Sequence, residues 1–298
     1  QQKIKESLYL FLLNRREENA LTQAMADNNA RVIDSADGSK APISPNRNRI
    51  LLLGILIGLA VPGVTFLGIL FLDTRVHGRK DIEDNTNVPL LGEIPFNKES
   101  AKVRTASVNE QGTDITSEAF RILRTNMAFM TKKGQPMQVI TFTSFNEGAG
   151  KTFISCNLAM SFVYAKKRVV LVDLDIRKAS LSHLVGAHKT GVSNYLADST
   201  LRVDDIIQHM EYFDVVAAGA IAPNPAELLM DERLDALMAE LRARYDVIIV
   251  DSVPLGIVAD ASIVNRIADL TVFVLRAGRF DRRQLPDIEK IYTEKKLN

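Results

Sequence analysis

Between Ile50 and Leu72 the sequence carries no charged residue and is apolar almost throughout. A run of this length and character has few structural options. Hydrocarbon offers the backbone no hydrogen-bond partner, so the run must satisfy itself as a helix, and about 20 such residues cross the bilayer core. The sequence therefore predicts a transmembrane helix that leaves a short polar stretch before it and a long one after it. Gly54, Gly58, Pro62, Gly63 and Gly68 are tolerated in such helices, and Gly54-x-x-x-Gly58 allows close packing. Small residues are equally common in spans that pair with nothing.

The stretch before the span has two parts. Gln1 to about Ala30 is rich in helix formers, with Ile4, Leu8, Phe11, Leu12, Leu21 and Met25 forming an imperfect apolar stripe. The stripe suits helix pairing in an oligomer as well as an ordinary amphipathic helix. Arg31 to Arg49 loses the period and gains Gly38, Pro42 and Pro45, which favour an extended connector. Flanking charge does not orient the span, because Lys40, Arg47 and Arg49 balance Arg75, Arg79 and Lys80. The initial Gln, the lack of a visible signal peptide and the stop at Asn298 read as a piece of a longer protein.

Beyond the span, Met137 to Ile140 is strand-like and runs into Thr141-Phe-Thr-Ser-Phe-Asn-Glu-Gly-Ala-Gly-Lys-Thr152. Strand, glycine-bearing turn and helix in that order make a phosphate-binding loop. Gly148 and Gly150 let backbone N–H groups close on phosphate oxygens, and a helix starting near Lys151 adds the positive end of its dipole. Lys151 is expected to reach the outer phosphates and Thr152 to ligate magnesium.

Two aliphatic strands end in carboxylates. Arg168 to Asp173 reads Arg-Val-Val-Leu-Val-Asp and continues Leu-Asp-Ile-Arg, while Val247 to Pro254 reads Val-Ile-Ile-Val-Asp-Ser-Val-Pro. In an open parallel sheet ligands bind outside the carboxyl ends of the strands, so Asp173, Asp175 and Asp251 should converge on the loop. Strand-end aspartates that merely cap turns are the plainer alternative.

Together, Gly148 to Thr152, Asp173-Leu-Asp-Ile-Arg177 and Asp251-Ser-Val-Pro254 resemble the three Walker motifs of the bacterial tyrosine kinases, or BY-kinases, of polysaccharide co-polymerase systems. The resemblance covers nearly the whole chain, and the middle motif is its most specific part. Phe145 stands where the general P-loop pattern has its first glycine. Asn146 stands where partition-type ATPases carry a signature lysine, which argues against that branch.

The resemblance implies ATP and Mg2+ as cofactors. It implies contacts to nucleotide from Glu147, Gly148, Ala149, Gly150, Lys151, Thr152, Phe153 and Arg177. It assigns catalysis to Lys151, Asp173, Asp175 and Asp251, and the metal to Thr152 with one or more of the three aspartates. Which carboxylate holds metal and which accepts or orients the tyrosine proton stays open. Glu118-x-x-Arg121-x-x-Arg124 matches the family element for subunit contacts in a ring, although the pattern alone reads as a solvated Glu–Arg pair.

The resemblance further implies a tyrosine phosphatase, the polysaccharide polymerisation and export machinery and membrane lipid as partners. It puts the acceptor tyrosines in a tail beyond this sequence. Because the loop must meet ATP, residues after Leu72 are expected in the cytoplasm of a bacterial inner membrane and residues before Ile50 outside it.

The expected fold class is α/β, a P-loop NTPase-type, mostly parallel sheet with helices on both faces, preceded by a transmembrane helix and an extracytoplasmic helical segment. The expected divisions are 1–49, a span at 50–72, a cytoplasmic juxtamembrane linker at 73–112, acidic from Asp81 to Pro95 and a polar, flexible loop from Lys98 to Gly112, and the kinase domain at 113–298. Within the last, the pattern predicts helices at Thr116 to Thr131, Val203 to His209, Ala226 to Arg242, Asp260 to Ile267 and from about Arg283. Strands are predicted at Phe213 to Ala217 and Leu270 to Leu275. Pro223-Asn-Pro-Ala-Glu-Leu-Leu229 resembles a family loop near the nucleotide, or is simply a Pro-initiated helix entry.

A formal net charge of +1 gives no electrostatic reason to propose nucleic acid. The lone Cys156 allows no internal disulfide, and the four histidines lack metal-ligand spacing. The activity expected is transfer of the ATP γ-phosphate to tyrosines, in trans between subunits. The alternative is a nucleotide-dependent assembly switch of a polysaccharide chain-length or export complex.

Overall fold

The structure is a computed structural model that describes residues 2–25, 38, 44–96, 108–109, 112–130, 137–187, 189–255 and 263–294. It divides into two compact units, Gln1–Phe71 and Leu72–Asn298.

In the first unit α1 runs Gln2–Met25 and α2 runs Arg47–Leu72. The two helices bury no residue. Among the described residues α2 is the one helix long and apolar enough to cross a membrane. Pro62 removes one helix N–H and so frees the Gly58 carbonyl, while the Thr65 hydroxyl is satisfied inside the helix by donating to the Val61 carbonyl at 2.8 Å. Most of the connector expected at Arg31 to Arg49 lies outside the described residues.

The second unit is built on six strands: β1 Val139–Ser144, β2 Val169–Asp173, β3 Ile207–His209, β4 Asp214–Val216, β5 Val247–Asp251 and β6 Leu270–Val274. Their spatial order is β3-β4-β2-β5-β1-β6, parallel except for β3, which pairs antiparallel with β4. Both faces of the sheet are covered. Val139, Val170, Val172, Ile248 and Val250 point into one apolar layer, while Ile140, Phe142, Leu171 and Ile249 point into the other. That alternation is the period-two geometry of a strand. It explains why these runs read as continuously aliphatic: a parallel sheet between two helical layers has no wet face.

The first layer is closed by α7 Val192–Ala197, α8 Pro225–Met230 and α9 Glu232–Arg244, whose Leu234, Leu237, Met238 and Leu241 are buried. The second is closed by α4 Ile115–Met130, through Phe120, Leu123 and Met127, and by α5 Lys151–Tyr164. Two shorter helices, α3 Arg79–Glu83 and α6 Ser180–Val185, and a last one, α10 Leu285–Thr293, complete the unit.

Four details differ from the sequence pattern. β1 extends through Ser144, because its pairing with β6 holds the threonines and Ser144 in extended form. Val203 to His209 is not one helix but a 3-10 turn at Val203–Asp205 followed by β3. The helix read as Ala226 to Arg242 is two helices, since Asp231 is extended and its side chain accepts the Arg233 N–H at 2.8 Å, starting α9 afresh. Of the helix expected at Asp260 to Ile267, residues 260–262 lie outside the described set, Ile263 and Val264 are helical, and Asn265–Ile267 tightens to a 3-10 turn.

The stretch after α2 is packed rather than loose. Val76 N–H donates to the Phe280 carbonyl and Gly278 N–H to the Val76 carbonyl, each at 2.8 Å, and Arg282 N–H reaches the Thr74 carbonyl at 2.8 Å. Val76 is buried with Phe280, Leu285 and Ile288 in a small third apolar cluster, against which Phe145 also packs. Residues 97–107 of the expected linker lie outside the described residues.

Candidate functional site

β1 delivers the chain into the loop at the carboxyl edge of the sheet, and α5 carries it away. Gly148 and Gly150 have φ of 71° and 103°, where a Cβ is strained, and Gly150 caps α5. The first N–H groups of α5 therefore face the loop with no helical acceptor, which suits an anion. Lys151 Nζ lies 3.4 Å from Ser144 Oγ, and Ser144 Oγ donates to the Asn146 carbonyl at 2.7 Å. The segment after β6 braces the loop from outside: Arg276 donates to the Gly148 carbonyl at 3.2 Å, and the Phe280 ring meets Phe145 edge-on at 6.2 Å. Phe145, in place of the usual first glycine, is thus a packing anchor.

The three aspartates converge as the strand ends require. Asp173 and Asp251 are direct register partners across β2 and β5, whose backbones lie about 4.8 Å apart. Both are buried. Asp251 Oδ2 accepts the Thr152 hydroxyl at 2.6 Å, joining the second strand end to the first turn of α5. Its other oxygen is buried without a hydrogen-bond partner. Asp173 is held at both oxygens: Oδ1 accepts the Asp175 N–H at 3.1 Å, and Oδ2 accepts the Ser182 N–H at 2.8 Å and its hydroxyl at 2.6 Å. Asp175, slightly less enclosed, accepts the Lys178 N–H at 3.1 Å.

Burial raises both register partners above the ordinary carboxylate range, Asp173 to about 6 and Asp251 to about 7. For Asp173 the Ser182 bonds pull the other way; for Asp251 the neighbouring Asp173 charge adds to the rise, and Thr152 and Lys151 oppose it.

The remaining candidates fall into distinct places. Glu147 is exposed and paired with Lys178, so the loop and the middle motif are tied across the site. Ala149 and Gly150 are half-buried in the loop, and Arg177 is exposed on the segment between β2 and α6. The Phe153 ring packs edge-on against Phe120 of α4 at 6.2 Å, which leaves its backbone, not its ring, for a nucleotide. On α4, Glu118 and Arg121 form the intrahelical pair at 2.9 Å, and Arg121 also donates to the Gly112 carbonyl at 2.8 Å. Arg124 turns inward and donates to the Ser161 carbonyl on α5, its pKa lowered by burial. Sequence reasoning missed Ser182, Arg276 and Phe280, because their partners are remote in the chain and no local pattern marks them.

Among the described residues no three His, Cys, Asp or Glu side chains make a cage for a metal by themselves. That is the expected state of affairs for magnesium, which keeps waters and takes one or two carboxylates plus phosphate oxygens. The unpartnered Asp251 oxygen beside the Thr152 hydroxyl fits such an ion.

Comparison with known proteins bears on the same elements. Residues 2–68 match the GNVR family, a G-rich domain on tyrosine kinases, and residues 137–292 match the AAA_31 family of AAA domains. The tyrosine-protein kinase wzc of Salmonella typhi is 30% identical over 292 residues, covering 91% of this chain and 40% of its own. The tyrosine-protein kinase etk of Escherichia coli strain K12 is 28% identical over 294 residues, with 91% and 40% covered. The chain thus spans about 40% of the length of these curated relatives. Among solved structures, the BceF tyrosine kinase domain superposes with a TM-score of 0.65 at 31% identity, covering 75% of this chain and 96% of that one. The kinase domain of Escherichia coli ETK gives 0.66 at 27% identity, with 74% and 90% covered.

Proposed function

The chain belongs to the bacterial tyrosine-kinase family, and from that premise we propose that it carries the membrane anchor and catalytic domain of an ATP-dependent protein-tyrosine kinase serving exopolysaccharide or capsule assembly. The observation that carries the reading is the Asp251 carboxylate, bound to Thr152 on one oxygen and buried unpartnered on the other, at the mouth of the glycine loop. A buried polar atom without a partner is costly unless a ligand completes it.

Magnesium ATP would supply the phosphoryl group and the cation that screens its charge. The amides of Gly148 to Thr152 and the Lys151 ammonium hold the phosphates and offset charge on the oxygens during transfer. Thr152 Oγ1 and Asp251 hold the cation, directly or through water. Asp173, whose Oδ1 accepts a single N–H and keeps a lone pair, stands beside Asp251 to join it at the cation, directly or through water. Asp175, which has spare acceptor capacity and lies nearer the surface, is suited to taking or orienting the tyrosine proton.

In this reading α2 sits in the bacterial inner membrane with the residues after Leu72 in the cytoplasm. Glu118, Arg121 and Arg124 serve contacts between copies in a ring, and a phosphatase, the polymerisation and export machinery and lipid are the partners.

The test is incubation with Mg2+ and γ-labelled ATP in the presence of a tyrosine-bearing acceptor peptide, beside Lys151→Met. Label on tyrosine that Lys151→Met abolishes is the expected result. Label found only as free phosphate, together with nucleotide-dependent association, would instead make the protein an assembly switch.

A further inference from the structure

We propose that Ser182 is a positioning residue, holding Asp173 in the orientation in which the paired carboxylates of β2 and β5 receive the divalent cation. The proposal rests on the kinase reading above and deepens it. β2 ends at Asp173, and the chain returns through Leu174 to Ala179 into α6, of which Ser182 is the third residue. Its N–H and its hydroxyl both donate to Asp173 Oδ2, at 2.8 and 2.6 Å. Ser182 Oγ in turn accepts the Ala218 N–H at 2.8 Å, from the segment that follows β4. Asp173 and Ala218 are fully buried and Ser182 is 7% exposed, so water does not substitute for these bonds.

The direction of this chain is fixed by its ends. An amide can only donate, so the Ser182 oxygen accepts from Ala218 and its single proton goes to Asp173. The Asp173 carboxylate needs such a restraint because Asp251 stands beside it in register, and two buried acidic groups side by side repel. With the hydroxyl removed, Asp173 Oδ2 keeps one donor instead of two, the Ala218 N–H is left without an acceptor, and the carboxylate is free to turn from the site. Groups that orient a metal-binding carboxylate typically change metal affinity or activity by about 10–100-fold when removed. Ser182 itself touches neither nucleotide nor metal in this scheme.

The experiment uses the full chain in detergent micelles and follows Mn2+ binding in the presence of ADP by the paramagnetic resonance signal of free Mn2+. Ser182→Ala is compared with Ser182→Thr and with Ser193→Ala, which removes a similar buried hydroxyl that donates to the Ala220 carbonyl at 2.6 Å and contacts no carboxylate. The expected result is Mn2+ binding weakened about 10–100-fold in Ser182→Ala, restored in Ser182→Thr and unchanged in Ser193→Ala. In ATP turnover kcat falls with Ser182→Ala, while KM for ATP stays within about twofold, since the glycine loop is untouched. Unaltered Mn2+ binding in Ser182→Ala, or equal loss in Ser193→Ala, overturns the proposal and leaves the kinase reading standing. Wild-type protein that binds no Mn2+ with ADP takes both down.

Discussion

Asp251 and Asp173 show how a site can be held at the expense of the fold. Burial, with the charge of Asp175 beside Asp173 and that of Asp173 beside Asp251, raises both above the ordinary carboxylate value, so the folded chain binds protons that the unfolded chain has already released. Their contribution favours folding below about pH 4 and is lost as the pH rises through 6 and 7, where both must carry charge in a buried place. Asp251→Asn removes one of those charges yet leaves an acceptor for Thr152. In the absence of nucleotide and metal it should melt higher than wild type at pH 8, by on the order of 1–3 kcal/mol, with the difference shrinking toward pH 5. Melting curves at the two pH values check this, and phosphate transfer should be lost. The aspartates themselves were legible in the sequence, because an aliphatic run ending in a carboxylate needs only local pattern to be seen. Ser182 was not, since its two partners lie 9 and 36 residues away and meet it only when α6 folds back over β2 and the end of β4.

At the scale of elements, the strands of the parallel core were readable where both faces are buried, as in β1, β2 and β5, and in the half-buried edge strand β6, because a run rich in β-branched residues leaves little else to form. The pattern failed where one residue decides a boundary. Ala226 to Arg242 looks like one amphipathic helix, yet Asp231 takes an extended conformation and caps the second half through the Arg233 N–H. Asp231→Ala should cost about 1 kcal/mol of stability by removing that cap, measurable as a shift in denaturation midpoint with unchanged slope. β3 escaped notice for another reason: three residues at a sheet edge carry too little apolar alternation to outweigh a helical reading of Val203 to His209.

At the scale of the molecule, the second compact unit begins at Leu72. Sequence alone marks the residues after the span as a linker because it shows composition but not pairing: the bonds from Thr74 and Val76 run to residues some two hundred positions later. Val76 covers Phe280, Phe280 braces Phe145, and Phe145 opens the phosphate loop. A protein cut so that it starts at Leu72 keeps this backing, whereas one that starts at Asp81 has lost Val76 and three backbone bonds. The shorter protein should be less stable by about 4 kcal/mol, the worth of one buried valine with three hydrogen bonds, and should bind nucleotide more weakly, which paired melting and binding titrations will show. Domain borders are usually drawn where a membrane anchor gives way to soluble chain. Here the first residues of the second unit complete one edge of its fold, so the place where a gene is trimmed for expression sets the rigidity of a loop about seventy residues further along the chain.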